Sequence, residues 1–242
     1  MTDKPNMPKA EHKNADTHLA SSADPLATDW KYEGGRLINL TWFGLFHCIR
    51  YRAQNNIPDQ GPMIIAPNHV SYYDPPVIAA GIRSRVRFMA WDALFRVPIL
   101  RGIMLSYGAY PVKVKSADKG AVVQTLKILR NREAVMIFPE GGRSPDGQLL
   151  PFEQGLARLA DQTDAAIVPV TILGALEAWP SSRALPRPFH PINIKYHAPV
   201  YPADLPEGLS PKERATELNR RVAAPIARRI RAWNKMKQKH RR

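Results

Sequence analysis

The sequence predicts an α/β domain with a largely parallel central sheet flanked by helices. After Gly61, short apolar runs rich in β-forming residues alternate with helical patterns, which is typical of this class. A chain of 242 residues with 44% hydrophobic composition can bury a full core within one large domain. We expect strands at Met63 to Ala66, Val86 to Ala90, Ala109 to Val114, Ala134 to Phe138, Ile167 to Ile172 and Ile192 to Tyr196.

Helical patterns fill the gaps between these strands. The clearest covers Lys119 to Leu129, with Asp118 as its expected N-cap. Its predicted apolar face consists of Val122, Val123, Leu126 and Leu129. Leu156 and Leu159 begin a second such face. The proline-rich stretch 180–191 is predicted to be a loop.

The chain divides into four predicted parts. Residues 1–29 are polar, contain no aromatic residue and are expected to form a disordered leader. Residues 30–58 are predicted to be an amphipathic segment, because Arg36 to Arg52 is apolar in its middle and basic at both ends. That pattern suits a helix in a membrane interface, and an ordinary helix packed on the domain is the alternative. The α/β domain is expected over 59–211 and a basic helix and tail over 212–242.

The net charge of +14 is concentrated in the tail, where 12 Lys or Arg face only Glu213 and Glu217 and leave +10. A solvated basic helix and an anionic membrane surface both fit this charge. Nucleic acid is not expected as a partner, because no binding motif is present. Near Pro225 the tail carries a helical stripe that core packing and lipid explain equally well, formed by Val222, Ile226, Ile230 and Trp233. Pro225 is expected to kink or start that helix.

Three features of the sequence bear on cellular location. Together they favour the cytoplasmic face of a membrane, with peripheral or monotopic contact. The leader lacks the apolar core of a secretory signal, and Cys48 is the only cysteine, so no internal disulfide can form. The sequence has no run of about 20 apolar residues, the length a spanning helix needs.

The segment NHVSYYDPP carries the first candidate chemistry. His69 and Asp74 lie five residues apart, and Pro75 with Pro76 prevents one continuous helix through both. A turn that brings them together would let Asp74 orient the imidazole, leaving the other ring nitrogen to take a proton from a hydroxyl. A purely structural pair is the alternative.

The loop FPEGGRS, residues 138–144, follows an apolar strand and can bind an anion. Its glycines let backbone N–H groups approach a ligand, and Arg143 offers a bidentate fork. The alternative is a glycine-rich turn with an exposed ion pair between Glu140 and Arg143. The loop is neither a P-loop nor a nucleophile elbow.

These two motifs resemble those of the glycerolipid acyltransferases typified by 1-acyl-glycerol-3-phosphate acyltransferase. His69 and Asp74 match the family's His-X4-Asp motif, and 138–144 resembles its Phe-Pro-Glu-Gly-Thr-Arg-Ser motif. The stretch 167–170 resembles its fourth, proline-containing motif. The resemblance covers about Arg52 to Val200.

The resemblance implies that a fatty acyl chain moves from acyl-CoA or acyl-carrier protein to a lysolipid hydroxyl. His69 would be the general base and Asp74 its orienting partner, with no covalent acyl-enzyme. The implied substrate-binding residues are Asn68, Glu140, Gly141, Gly142, Arg143 and Ser144. The implied partners are membrane lipids and the acyl donor, and neither a metal nor a cofactor beyond that donor is expected.

The sequence departs from the family at three positions. Val114 stands at the usual arginine of the second motif, Trp91 replaces a common basic residue, and Gly142 replaces the usual Thr. These departures weaken the case for an acceptor that carries a phosphate. The resemblance still implies 1-acyl-glycerol-3-phosphate as the preferred acceptor, because it is the commonest in the family, with other lyso-lipids as alternatives. A catalytically inactive membrane-binding relative and a hydrolase using Ser71 or Ser144 are the remaining alternatives.

Overall fold

The computed structural model describes residues 30–96, 101, 108–112 and 119–239. Seven strands lie within them: β1 Arg50–Arg52, β2 Met63–Pro67, β3 Val86–Trp91, β4 Ala109–Val112, β5 Ala134–Met136, β6 Ala166–Leu173 and β7 Asn193–Tyr196. They form one sheet in the order β1-β7-β6-β2-β5-β3-β4. All neighbours are parallel except β7, which is antiparallel to β6. The predicted α/β class with a largely parallel sheet is confirmed.

Helices cover both faces of this sheet. The described helices are α1 Trp30–His47, α2 Asp74–Ala80, α3 Lys119–Arg130, α4 Gln154–Thr163, α5 Ala175–Ala178 and α6 Pro211–Lys239. Side chains alternate along each strand, so β2 directs Met63 and Ile65 to one face and Ile64 and Ala66 to the other. The first face packs on α1, α2 and α5, and the second packs on α3, α4 and α6.

The sequence predicted the extent of α3 well and its buried face poorly. Val122 and Val123 are exposed, whereas Ala121, Thr125, Ile128 and Leu129 are buried. The small Ala121 and Thr125 allow close packing, and the Thr125 hydroxyl lies 2.7 Å from the Tyr110 hydroxyl. The helical period of the buried positions was therefore predicted correctly, but the buried face was placed about one residue too late in the sequence. Asp118, the expected cap, lies outside the described residues.

The segment predicted as one amphipathic unit divides into two structures. Helix α1 ends at His47, and Arg50–Arg52 forms β1, paired in parallel with β7. The sheet therefore begins before residue 59. Helix α1 buries Tyr32 and Phe43 on the domain and exposes Ile38. None of the helices in the described ranges combines the length and apolar content needed to cross a membrane.

The basic C-terminal helix α6 is part of the core. Val222 and Ile226 are fully buried, and Trp233 packs beside Ile230. Core packing therefore explains the apolar stripe. Pro225 lies inside the helix and does not start it. The leader 1–29 and residues 240–242 lie outside the described part of the chain.

Candidate functional site

The pair His69 and Asp74 lies at the carboxyl end of β2. Asp74 begins α2 and is fully buried. Its Oδ2 accepts hydrogen bonds from His69 Nδ1 at 2.7 Å, from the Val70 N–H at 2.6 Å and from the Ser71 N–H at 2.8 Å. The turn expected from the sequence therefore brings the two side chains together.

Local sequence explains why this turn is stable. The Ser71 hydroxyl accepts the Tyr73 N–H at 3.0 Å and donates to the Trp179 carbonyl at 2.7 Å. Pro75 and Pro76 occupy the first turn of α2, where a helix has no partner for backbone N–H groups and proline is tolerated. The turn is thus closed from within and tied to the segment after α5.

His69 is held on three further sides. Its ring stacks on Phe138, with centroids 3.9 Å apart and planes inclined by 23°. The backbone N–H of His69 donates to Glu140 Oε1 at 2.7 Å, and its backbone carbonyl accepts the Ser144 N–H at 2.8 Å. The side chain is 17% exposed, and no described residue bonds Nε2. The geometry leaves Nε2 as the free ring nitrogen.

Glu140 positions the histidine, whereas the sequence predicted that it binds substrate. Its side chain is buried, and Oε2 accepts the Leu150 N–H at 2.7 Å. The alternative, an exposed ion pair between Glu140 and Arg143, is wrong because Glu140 is buried. The pKa of Glu140 is raised from 4.5 to about 7, mainly by burial and to a smaller degree by the charge of Asp74, against the opposing effect of the N–H groups of Leu150 and His69.

Asn68 and Ser144, which were also predicted to bind substrate, form hydrogen bonds within the protein. Asn68 is buried and bridges to β6, donating to the Ile172 carbonyl at 3.2 Å and accepting the Ile172 N–H at 2.7 Å. The buried Ser144 hydroxyl donates to Asp146 at 3.0 Å and accepts the Gly147 N–H at 3.1 Å. The Asn68 bonds tie the first loop to β6, and the Ser144 hydroxyl bonds hold the second loop in its own turn.

The exposed part of the second loop consists of Gly141, Gly142 and Arg143. Gly141 has φ +66°, a conformation that favours glycine. A Cβ on Gly142 would meet nothing within 4 Å, so the site has room for the family's Thr. No described residue bonds the backbone N–H groups of Gly142 and Arg143. These three residues are the predicted binding residues that remain open to a ligand.

An aromatic wall beside the loop was missed by the sequence analysis. The Arg143 guanidinium lies 4.0 Å from the centre of the Tyr72 ring, which contacts Trp179 at 5.2 Å between centroids. Tyr72 could have been suspected from its place inside the first motif. Trp179 is over 100 residues away from that motif, and only the fold brings it there.

The side chains at two of the three departures from the family lie outside the described residues. Val114 and its neighbours Lys113 and Lys115 lie outside the described residues, as does the side chain of Trp91. Among the residues that are described, no three His, Cys, Asp or Glu side chains cluster as metal ligands.

Known proteins share this sequence pattern and fold. The sequence model of the family described as "Acyltransferase" matches residues 48–173. The chain is 27% identical to a chloroplastic 1-acyl-sn-glycerol-3-phosphate acyltransferase of Brassica napus, over 60% of this chain and 43% of that protein. It is 29% identical to the 1-acyl-sn-glycerol-3-phosphate acyltransferase of Borreliella burgdorferi, over 48% of each. The chain thus matches less than half the length of these two relatives.

A solved structure agrees with the fold. The crystal structure of a 1-acyl-sn-glycerophosphate acyltransferase from Thermotoga maritima superposes with a TM-score of 0.70 at 25% identity. The match covers 84% of this chain and 79% of that one. The family resemblance read from the two sequence motifs is therefore confirmed.

The raised pKa of Glu140 predicts a pH-dependent stability difference. Between pH 4.5, the ordinary pKa of a glutamate, and about pH 7, Glu140 keeps its proton in the folded state but has lost it in the unfolded state. We expect the free energy of unfolding of the wild type, relative to Glu140→Gln, to fall as pH rises from 5 to 7, by at most about 1.4 kcal/mol per pH unit. Urea unfolding from pH 5 to 8 measures this difference. Glu207→Gln is the control for losing an exposed carboxyl, and a pH-independent difference for Glu140→Gln would contradict the assignment.

Proposed function

The chain belongs to the acyltransferase family, and we propose that it moves a fatty acyl chain from acyl-CoA or acyl-carrier protein to the hydroxyl of a lysolipid. One observation carries the proposal. His69 is fixed through Nδ1 by a buried carboxylate while Nε2 is left free. This is the arrangement a general base needs.

In the proposed reaction, His69 Nε2 removes the proton of the acceptor hydroxyl as that oxygen attacks the thioester carbonyl. Asp74 holds the ring in the tautomer with hydrogen on Nδ1 and stabilises the cation that forms. Collapse of the tetrahedral intermediate breaks the C–S bond, and the proton on Nε2 passes to the departing thiolate. The products are an ester and a free thiol, with no covalent acyl-enzyme.

The oxyanion of that intermediate needs hydrogen-bond donors, and the structure narrows the candidates. The N–H groups of His69, Val70 and Ser71 already bond to Glu140 or Asp74. We therefore assign the oxyanion contact to the second loop, where the N–H groups of Gly142 and Arg143 have no partner among the described residues.

The names of two relatives and the exposed Arg143 support 1-acyl-glycerol-3-phosphate as the preferred acceptor, with phosphatidate as the product. Relatives from Brassica napus and Borreliella burgdorferi are named for this reaction. Arg143 is exposed, and with its face on Tyr72 its edge N–H groups can form a bidentate pair with phosphate. The departures at Val114 and Trp91 keep another lysophospholipid, or an amino-acid lyso-lipid, as the second candidate acceptor.

The geometry disfavours the alternative of a serine hydrolase. A nucleophilic hydroxyl must reach the base, but Ser71 donates to the Trp179 carbonyl and Ser144 donates to Asp146. Both side chains are buried. Neither serine is presented to His69 Nε2 or to solvent.

The exposed apolar side of α1 supports attachment to a membrane surface, where a lysolipid resides, and the face that we propose is the cytoplasmic one. Leu37, Ile38 and Leu45 are each more than half exposed, and Trp42 lies beside them. Because Tyr32 of α1 is buried in the domain, the helix stays attached to the domain. It would therefore lie along the membrane interface and would not insert into the bilayer as a separate helix. This attachment is peripheral or monotopic.

Replacing the proposed base tests the reaction. We expect His69→Ala to lower transfer to 1-acyl-glycerol-3-phosphate by about 100- to 10,000-fold without changing the thermal unfolding midpoint greatly. A radiolabelled acyl donor offered with a panel of lyso-lipids measures the rate and ranks the acceptors. His190→Ala is the matched control, since it removes a histidine outside the site. Full turnover by His69→Ala would rule out the mechanism, and equal wild-type rates with phosphate-free acceptors would rule out the phosphate contact.

Substitution on α1 tests membrane attachment while keeping the core intact. We expect Ile38→Glu to lower the partition coefficient onto vesicles of phosphatidylcholine and phosphatidylglycerol at least tenfold, because burying such a side chain contributes about 2 kcal/mol. Vesicle sedimentation measures the partition. Val123→Glu is the control, since that valine is also exposed but lies on the opposite face of the sheet. Equal partition of the two variants would contradict attachment through α1.

A further inference from the structure

The C-terminal half of α6 and strand β7 present a group of cations that lack acidic partners. We call the α6 basic surface the side chains Lys195, Arg228, Arg229, Arg231 and Lys235. Earlier in the helix the arginines have acidic partners, since Arg214 pairs with Asp161, and Glu217 pairs with both Arg220 and Arg221. None of the five members forms an ion pair with a described residue.

Three members of this surface, Lys195, Arg228 and Arg229, lie near one buried group, His197. His197 is 8% exposed and lies 2.7 Å from the Thr171 hydroxyl. Burial, together with the charges of Lys195, Arg229 and Arg228, lowers its pKa from 6.5 to about 4. These three cations therefore lie on the same side of the sheet, close enough to act on one buried side chain.

The surface borders the catalytic end of the sheet. Lys195 is paired in register with Thr171, two residues before the end of β6. Ile230, on the same turns of α6 as the arginines, packs on Leu173 at that end. The next turn of the helix contributes Trp233 and Asn234 to a small cavity that Val70 and Gly147 also line. Val70 is the neighbour of His69, so a body docked on this surface lies beside the site.

Topology argues against a membrane as the occupant. Helix α1, which carries the exposed apolar side chains, packs on one face of the sheet, and α6 packs on the other. A bilayer that contacts the outer side of α1 would leave the α6 basic surface facing water. The α6 basic surface is therefore suited to a soluble anionic partner.

The spacing of the cations favours a protein over a small nucleotide. Arg228, Arg231 and Lys235 are exposed and follow three- and four-residue spacing along one side of a helix. Over seven residues they extend about 10 Å. A row on the outer surface of a helix complements a row of carboxylates on another protein, and such pairs steer association and fix orientation.

We propose that the α6 basic surface is the docking site for an acidic acyl-carrier protein, which presents its thioester to His69. The inference rests on the proposed acyl transfer and specifies how one of its two donors is recognised. Transfer from acyl-CoA uses the same His69 chemistry and does not need this surface.

Charge reversal with two donors tests the proposal. The variant Arg228→Glu/Arg231→Glu is compared with wild type using one acceptor in neutral detergent micelles. We expect kcat/KM for acyl-carrier protein to fall at least tenfold through KM, while kcat/KM for acyl-CoA changes less than twofold. The wild-type rate with acyl-carrier protein falls with added salt. Lys127→Glu/Lys212→Glu is the matched control, with the same change of net charge at two other exposed positions on this side of the molecule.

Each other outcome overturns the docking site. A parallel loss with both donors would assign the surface to coenzyme A or to folding, and circular dichroism separates these two. A loss seen only with anionic vesicles would make it a membrane contact. An unchanged KM, or an equal effect of the control, would leave the surface without a role in docking. If wild type transfers from neither donor, the proposed function fails; acyl-carrier protein binding to wild type and the variant, measured by calorimetry, then decides the docking site separately.

Discussion

The buried carboxylate of Asp74 is the constraint on which the site depends. A carboxylate removed from water is costly unless donors replace the lost hydration, and here Oδ2 receives two backbone N–H groups and the ring of His69. Those bonds fix the chain between β2 and α2 and orient the imidazole in the same step. Substituting this side chain would therefore disturb the turn as well as the ring, because both depend on one oxygen atom.

A second carboxylate extends that constraint to the neighbouring loop. Glu140 bonds the backbone N–H groups of His69 and Leu150, and the Ser144 N–H returns a bond to the His69 carbonyl. The two loops follow parallel strands β2 and β5, whose carboxyl ends meet at one edge of the sheet. The rigid sheet thus presents His69 beside a loop in which the N–H groups of Gly142 and Arg143 have no partner among the described residues. In the proposed reaction, proton transfer and oxyanion binding would both occur within this preformed site.

The sequence predicted the parts of the fold and site that depend on local pattern. Strand order along the chain follows from apolar runs, and the contact between His69 and Asp74 was foreseeable because the two are neighbours in sequence. Glu140 was assigned to substrate through its match to the family motif. Its bonds to the backbone N–H groups of His69 and Leu150 were not foreseen, because no side-chain pattern reveals a backbone partner. Trp179 was missed because only tertiary structure brings it to the first motif. The phase of α3 was misjudged because larger valines looked more suited to a core than Ala121 and Thr125, although close helix packing favours the smaller residues.

The tautomer of His69 tests most directly whether Asp74 sets up the base. Nitrogen-15 NMR of the uncharged ring distinguishes a proton on Nδ1 from a proton on Nε2. The account predicts the Nδ1–H form in the wild type and a shift toward the Nε2–H form in Asp74→Ala, because that substitution removes the oxygen that accepts the Nδ1 proton. A wild-type ring protonated on Nε2, or the same tautomer in both proteins, would contradict a base held by Asp74.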